Sequence, residues 1–158
     1  TVKELSNYID EDYPHRYEYK KLCLASNLEL KMFFSQDTNI CSFIEKYILP
    51  YLYTYRFYKE YGIYPYGERS HGTMGDLEYL KDLFGVNDWK QVFDIMIFVI
   101  RFPYRGHLLC PCGSGEKIRN CHGNVLRKVM DAKLQDEFIL ILLEIEKVFE
   151  REAEKWKM

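Results

Sequence analysis

The stretch LLCPCGSGEKIRNCHG, residues 108–123, places three cysteines and a histidine within thirteen positions around two glycines. The spacing from Cys110 to His122 is C-x-C-x8-C-H. Four soft or borderline donors of this kind make a complete tetrahedral set for zinc. Gly113 and Gly115 permit the positive-φ turns that fold the second pair back onto the first, and Pro111 stiffens the first pair. The alternatives fit less well. Thioredoxin-type redox chemistry uses C-x-x-C at a helix start, which is absent, and a Cys110–Cys112 disulfide would close a very tight ring. A metal cage is the favoured reading, against a coincidental cluster.

Around this segment the chain has 158 residues, 47% hydrophobic and 16% aromatic, enough for one domain with a real core and a small module attached. Lys and Arg number 22 against 24 Asp and Glu, so no global field drives the chain onto nucleic acid or an anionic membrane. The opening residues lack the basic-then-apolar pattern of a leader. No apolar run is longer than the six residues from Phe138 to Leu143, far short of the roughly 20 residues a bilayer requires. The five cysteines are an odd number, three of them crowded together, which fits thiols kept reduced and a cytoplasmic protein. Lys117, Arg119, Arg127 and Lys128, with Arg101, Arg105 and His107 upstream, make the knuckle locally basic. A solvated face is favoured there over a nucleic-acid or acidic partner.

CPCGSGEKIRNCHG closely resembles the SEC-C motif, a zinc-binding segment best known at the C-terminus of the bacterial preprotein-translocase ATPase and found as an accessory module in other bacterial proteins. The resemblance covers Cys110 to Gly123. It implies structural zinc, with Cys110, Cys112, Cys121 and His122 as ligands, and a docking role rather than catalysis.

The rest of the chain reads as mainly helical. Residues 38–61 carry helical spacing, with Pro50 expected to kink or restart the helix and Gly62 to end it. A Gly/Pro-rich loop follows, then helices over about 76–84 and 87–100, the second capped by Asn87. Residues 124–157 read as one long helix bearing Leu126, Val129, Met130, Leu134, Phe138, Ile141, Leu142, Ile145 and Phe149. The expected division is 1–100, a knuckle at 101–124, and a terminal helix at 125–158. The clustered tyrosines read as core and rim rather than as a base-stacking surface. Cys41 reads as a small core residue. In GERSHG, a turn held by Glu68 and Arg69 is favoured over a functional loop built on Glu68 and His71.

Cys23 is set apart by Lys20 and Lys21 beside it and by His15 eight positions before it. Cations support a thiolate, although the residues alone favour a buried structural thiol. A second resemblance shifts that balance. Residues 2–85, through VKELSNYIDEDYPHRYEYKKLCLASNLEL and YGIYPYGERSHG, look like bacterial relatives of ubiquitin-conjugating enzymes, some of which carry a SEC-C module. Such proteins often accompany anti-phage signalling systems. In that family a His-Pro-Asn turn precedes the active cysteine, and here Tyr13-Pro14-His15 stands in the same register before Cys23-Leu24. The resemblance implies acyl transfer through a Cys23 thioester to a target amine. His15, in place of asparagine, would be oxyanion donor or base, with His71 and Glu68 as loop contributors. Only about twelve residues precede the turn, so the region reads as an incomplete conjugating-enzyme-like fold, mainly α as visible and α+β if complete. The chain has no G-x-x-x-x-G-K-[ST] loop, so the expected protein partners are a modifier, a target and a separate activating enzyme. The competing reading is a non-catalytic zinc-binding adaptor, and a third is a nucleic-acid contact through the basic knuckle.

Overall fold

The computed structural model describes residues 1–155 and is mainly helical, with one two-stranded sheet. Among the described residues no helix is long and apolar enough to cross a membrane. The last residues of the expected terminal helix, 156–157, and the side chain of Phe149 lie outside what is described. The chain divides into two units, Thr1–Asn27 with Asp37–Arg69, and Leu28–Gln36 with the chain from Ser70 onward.

The first unit is built on a short hairpin. Strand β1 (Arg16–Tyr17) pairs antiparallel with β2 (Lys21–Leu22), Arg16 opposite Leu22 and Tyr17 opposite Lys21. The turn between them carries Tyr19 and Lys20 at positive φ. The N-terminal segment adds along the far edge, where Leu22 N–H donates to the Val2 carbonyl at 3.0 Å and Glu4 N–H to Lys20 at 2.9 Å. This covers an edge that would otherwise leave backbone groups unpaired.

Helix α2 (Ile40–Phe43) runs through a π-helical turn (Ile44–Ile48) into α3 (Leu49–Tyr61). Pro50 explains the wide turn. It lacks an N–H and its ring crowds the carbonyl four residues back, and the Leu49 N–H instead reaches the Ile44 carbonyl. The helix restarts rather than stopping. Gly62 ends it in the left-handed conformation, φ 69°, donating to the Tyr58 carbonyl at 2.8 Å. Cys41, expected in the core, is exposed, because it sits in the first turn after the Asn39 cap on the solvent side.

Ile9, Tyr13, Tyr51 and Tyr55 form this unit's core, with Leu22, Leu24, Leu52, Tyr58 and Tyr64 around it. Tyr13 meets the rings of Tyr51, Tyr55 and Tyr58 at 5.0 to 6.0 Å. The hydroxyls are used as well. Tyr55 Oη donates to the Tyr8 carbonyl at 3.1 Å and accepts from Asp10 N–H at 3.2 Å. Such a core trades some apolar area for hydrogen bonds that fix the N-terminal loop on α3.

The second unit holds α1 (Asn27–Gln36), α4 (Gly72–Phe84), α5 (Trp89–Arg101), α6 (Gly123–Asp131) and α7 (Gln135–Lys155). Leu80, Val92, Ile95, Met96, Ile118, Leu126, Val129, Leu134 and Phe138 are fully or almost fully buried in one core, which also takes in Cys110 and Cys112. The knuckle therefore shares its core with α5 and α6, and the expected boundaries at 100 and 124 are not breaks in packing. The single helix expected over 124–157 is two. Lys133, at φ 54°, turns the chain between α6 and α7, which brings Leu134 and Phe138 into the core. The cap of α5 is Asp88 rather than Asn87, its carboxylate accepting from Lys90 N–H at 3.1 Å.

Candidate functional site

In the second unit the knuckle brings its four donors together. The Sγ atoms of Cys110, Cys112 and Cys121 and a ring nitrogen of His122 all lie within 4.8 Å of one another. Cys112 Sγ is 3.6 Å from Cys121 Sγ, and His122 Nδ1 is 3.2 Å from Cys110 Sγ and 3.0 Å from Cys121 Sγ. Ligands at ordinary zinc bond lengths on a tetrahedron stand about 3.5 to 3.8 Å apart, so the cage is close to that size.

The local fold explains the convergence. Cys110 N–H donates to the Glu116 carbonyl at 2.8 Å and Ile118 N–H to Leu108 at 2.9 Å, which closes a narrow loop through Gly113 and Gly115, both at φ 78°. Ile118, wholly buried, anchors the return limb. At Gly123 a Cβ would stand 2.9 Å from the Ile118 carbonyl oxygen, so this position has no room for a side chain. Two further bonds orient the ligands. His122 Nε2–H donates to the Phe84 carbonyl at 2.9 Å, leaving Nδ1 as the ligating atom, and Gln91 Nε2 donates to the Cys112 carbonyl at 2.8 Å. Burial pushes the Cys110 thiol up to about 12. It opposes ionisation of Cys112 too, but hydrogen bonds from Ser114 and the neighbouring thiols outweigh it and bring Cys112 down to about 6. Two buried thiols with a third, exposed one against them need a cation to ionise together.

In the first unit the hairpin positions Cys23. Extending the β1–β2 register by one pair sets His15 opposite Cys23, and Cys23 N–H does donate to the His15 carbonyl at 2.9 Å. Residues directly opposite across an antiparallel pair share a face, which accounts for the eight-position spacing. Cys23 Sγ and a His15 ring nitrogen lie within 4.8 Å. His15 Nε2 stands 3.3 Å from Glu68 Oε1, with the imidazole largely buried and the carboxylate half-exposed. Tyr13 and Tyr64 flank that ring edge-on at 5.6 and 5.2 Å. Burial and the neighbouring phenols push Tyr13 well above the ordinary tyrosine value, so it stays neutral beside the imidazole.

Of the residues singled out in the sequence, Cys23, His15 and Glu68 come together in this unit. His71 belongs to the second unit, at the N-cap position of α4. Two members were not expected. Tyr17 Oη is 3.0 Å from Cys23 Sγ, and Tyr51 Oη donates to the His15 carbonyl at 3.1 Å. The hydrogen bond to Cys23 and then burial push the Tyr17 phenol up to about 12. Period-two alternation from His15 was the available signal for Tyr17, whereas Tyr51 comes from a helix 36 positions on. The arrangement sets a thiol, an imidazole and a carboxylate together, the kinds of group that cysteine nucleophilic catalysis uses.

Comparison with protein-family models, with curated proteins and with solved structures returns no match for this chain.

Proposed function

We propose that the first unit is a cysteine acyl-transfer centre of the ubiquitin-conjugating kind, and that the second unit is held together by a structural zinc ion. The observation that carries the first part is the placement of Cys23 opposite His15, with Glu68 on the imidazole. In the first step the Cys23 thiolate attacks the carbonyl carbon of an activated protein C-terminus. A C–S bond forms and the activating group leaves with its electron pair. In the second, a target amine attacks the thioester carbonyl, a C–N bond forms, the Cys23 thiolate is released and the amine proton passes to His15.

Each residue has a share in this. Glu68 holds the imidazole and stabilises it when protonated, much as a carboxylate does behind any catalytic histidine. Tyr17, kept neutral, donates to the Cys23 sulfur. Cys23 Sγ and a His15 ring nitrogen lie within 4.8 Å, and contacts of this kind tighten when substrate is bound. The departure from an asparagine donor is consistent with a histidine that both donates and accepts protons. A role beside anti-phage signalling systems is part of the same reading and rests on the sequence resemblance alone.

Zinc suits the donor set of Cys110, Cys112, Cys121 and His122, because three thiolates and an imidazole match its softness and tetrahedral preference. When bound it cross-links the knuckle, and with four protein ligands it has no position for substrate. That closure is also what supports a second reading, a zinc-stabilised adaptor in which Cys23 has no chemical role.

Trapping separates the two. The protein is expressed with its genomic neighbours as wild type, Cys23→Ser and Cys23→Ala, and analysed by intact-mass spectrometry. The expected result is a reducible protein adduct on wild type, a hydroxylamine-sensitive ester on Cys23→Ser and no adduct on Cys23→Ala. No adduct on any variant, with zinc bound and an activating partner present, would leave the adaptor reading.

A further inference from the structure

Residues 101–128 contain six Lys or Arg and one acid, a local charge of +5 in a chain whose net charge is −2. The other residues therefore carry −7, so the cations are concentrated in the knuckle and its approaches. Arg101, Arg105, Lys117, Arg119, Arg127 and Lys128 are all exposed. Among the described residues none of the six is paired with a carboxylate. A solvated protein face ordinarily mixes both signs more evenly than six cations to the one acid, Glu116.

The fold sets Arg127 over the Tyr104 ring and Arg119 against the backbone beside Arg105. Arg119 N–H donates to the Gly106 carbonyl at 3.0 Å, which sets Arg119 against the backbone that follows Arg105. Gly106 lacks a side chain where space is short: a Cβ there would lie 3.1 Å from Tyr104 Oη and 3.3 Å from Arg119 Cβ. The Arg127 guanidinium lies over the Tyr104 ring, 4.6 Å from its centroid. A guanidinium held over a ring by its charge still offers the planar set of N–H donors that suits phosphate oxygens. Phe102, next in the chain to Arg101 and three residues before Arg105, is 51% exposed, its ring 5.5 Å from that of Phe98.

We infer that the basic face of the knuckle, built on Arg105, Arg119 and Arg127 with Tyr104, and with Phe102 close to it in the chain, is a binding surface for single-stranded nucleic acid. Unpaired guanidiniums provide for the phosphodiester backbone, and an exposed aromatic flanked by cations provides a platform for a base. An acidic peptide would use the charge but not the platform. The face lies entirely in the second unit, so the inference is independent of chemistry at Cys23.

The test is fluorescence anisotropy of the metal-loaded chain with a labelled oligothymidylate of roughly 20 nucleotides, titrated from about 50 to 200 mM salt. Three to six phosphate contacts give a log–log salt slope of about −2 to −4. The combined variant Arg105→Gln, Arg119→Gln, Arg127→Gln is expected to weaken binding at least about tenfold and to flatten that slope by about 2. Phe102→Ala is expected to weaken binding several-fold with the slope unchanged, as lost stacking does. The wild-type slope and the Phe102 variant stand even if the triple variant folds poorly. The inference is overturned if wild type does not bind at the lowest salt, if the triple variant binds as wild type does, or if polyglutamate of equal length binds as tightly.

Discussion

Ile118→Ala tests whether the knuckle belongs to the helical core or hangs from it. Ile118 is wholly buried, on the limb between Lys117 and Cys121, and packs in one cluster with Leu126, Val129, Leu134 and Phe138. Truncation removes three carbons. At about 0.8 kcal/mol for each buried methylene the transfer loss is roughly 2.4 kcal/mol. The cavity adds to it, because the site is hemmed by the Leu108 hydrogen bond and the close approach of Gly123 and collapses only in part. The total is about 3 to 4 kcal/mol. At about 5 °C per kcal/mol for a unit of this size, the melting temperature of the second unit falls by roughly 15 to 20 °C. The assay is scanning calorimetry of metal-loaded protein under reducing conditions, with the rate of metal capture by a chromogenic chelator measured on the same samples. Leu109→Ala is the control, since Leu109 is 68% exposed on the same loop and its loss should cost no more than about 0.5 kcal/mol. Equal shifts for the two variants would refute the reasoning and make the knuckle an appended module.

Three further outcomes are expected. Chelation under reducing conditions should release amide protection over residues 108–121, where the loop hydrogen bonds close around the cysteine and histidine cluster, and protection that survives complete metal loss would count against the cage. Gly75→Ala places a Cβ 1.9 Å from the Ser70 carbonyl oxygen, and Ser70 is itself tied to Glu78 by bonds of 2.8 and 2.9 Å. The clash should exceed the gain in helix propensity and lower stability by about 1 to 2 kcal/mol, read by thermal denaturation. Tyr17, pushed up to about 12 by its bond to Cys23 and then by burial, favours its neutral form in the folded state. That contribution is complete below the ordinary tyrosine value near 10 and is lost as pH rises towards 12. Cys23→Ala should move the Tyr17 phenolate transition, followed by near-ultraviolet absorbance, down towards 10, and an unmoved transition would dissociate the pair.

What the sequence discloses here is what is local. The donors at 110, 112, 121 and 122 meet because the glycines between them turn the chain back within a dozen residues, and spacing carries that information. Gly62 ends α3 for an equally local reason. Contacts between distant segments leave no such trace. The Phe84 carbonyl that fixes the His122 tautomer lies 38 positions away, and nothing in either neighbourhood announces it. The break between α6 and α7 is hidden for a different reason. Leu126, Val129, Met130, Leu134, Phe138 and Ile141 keep helical spacing straight through it, and the turning residue is Lys133, not a glycine or proline. Helix α1 was missed although Leu28, Met32 and Phe33 bear its buried face, because ten residues offer too few turns for a period to stand out.

The eight-position spacing from His15 to Cys23 has a structural meaning of its own, because it is a strand register. With Tyr17 opposite Lys21, each step away from the turn adds a pair, and the second step is His15 with Cys23. A side-chain period of two makes this unforgiving. One residue added to or removed from the turn would send Cys23 to the other face of the hairpin and away from the imidazole. The turn is accordingly constrained, with Tyr19 and Lys20 both at φ 58° although neither is glycine. Tyr55 and Tyr51 hold the other side, binding the Tyr8 carbonyl and the His15 carbonyl from α3. The pairing of thiol and imidazole thus depends on the hairpin turn and on the tyrosine core together, which is why substitutions at Tyr51 belong with those at Cys23 and His15 when the proposed acyl transfer is tested.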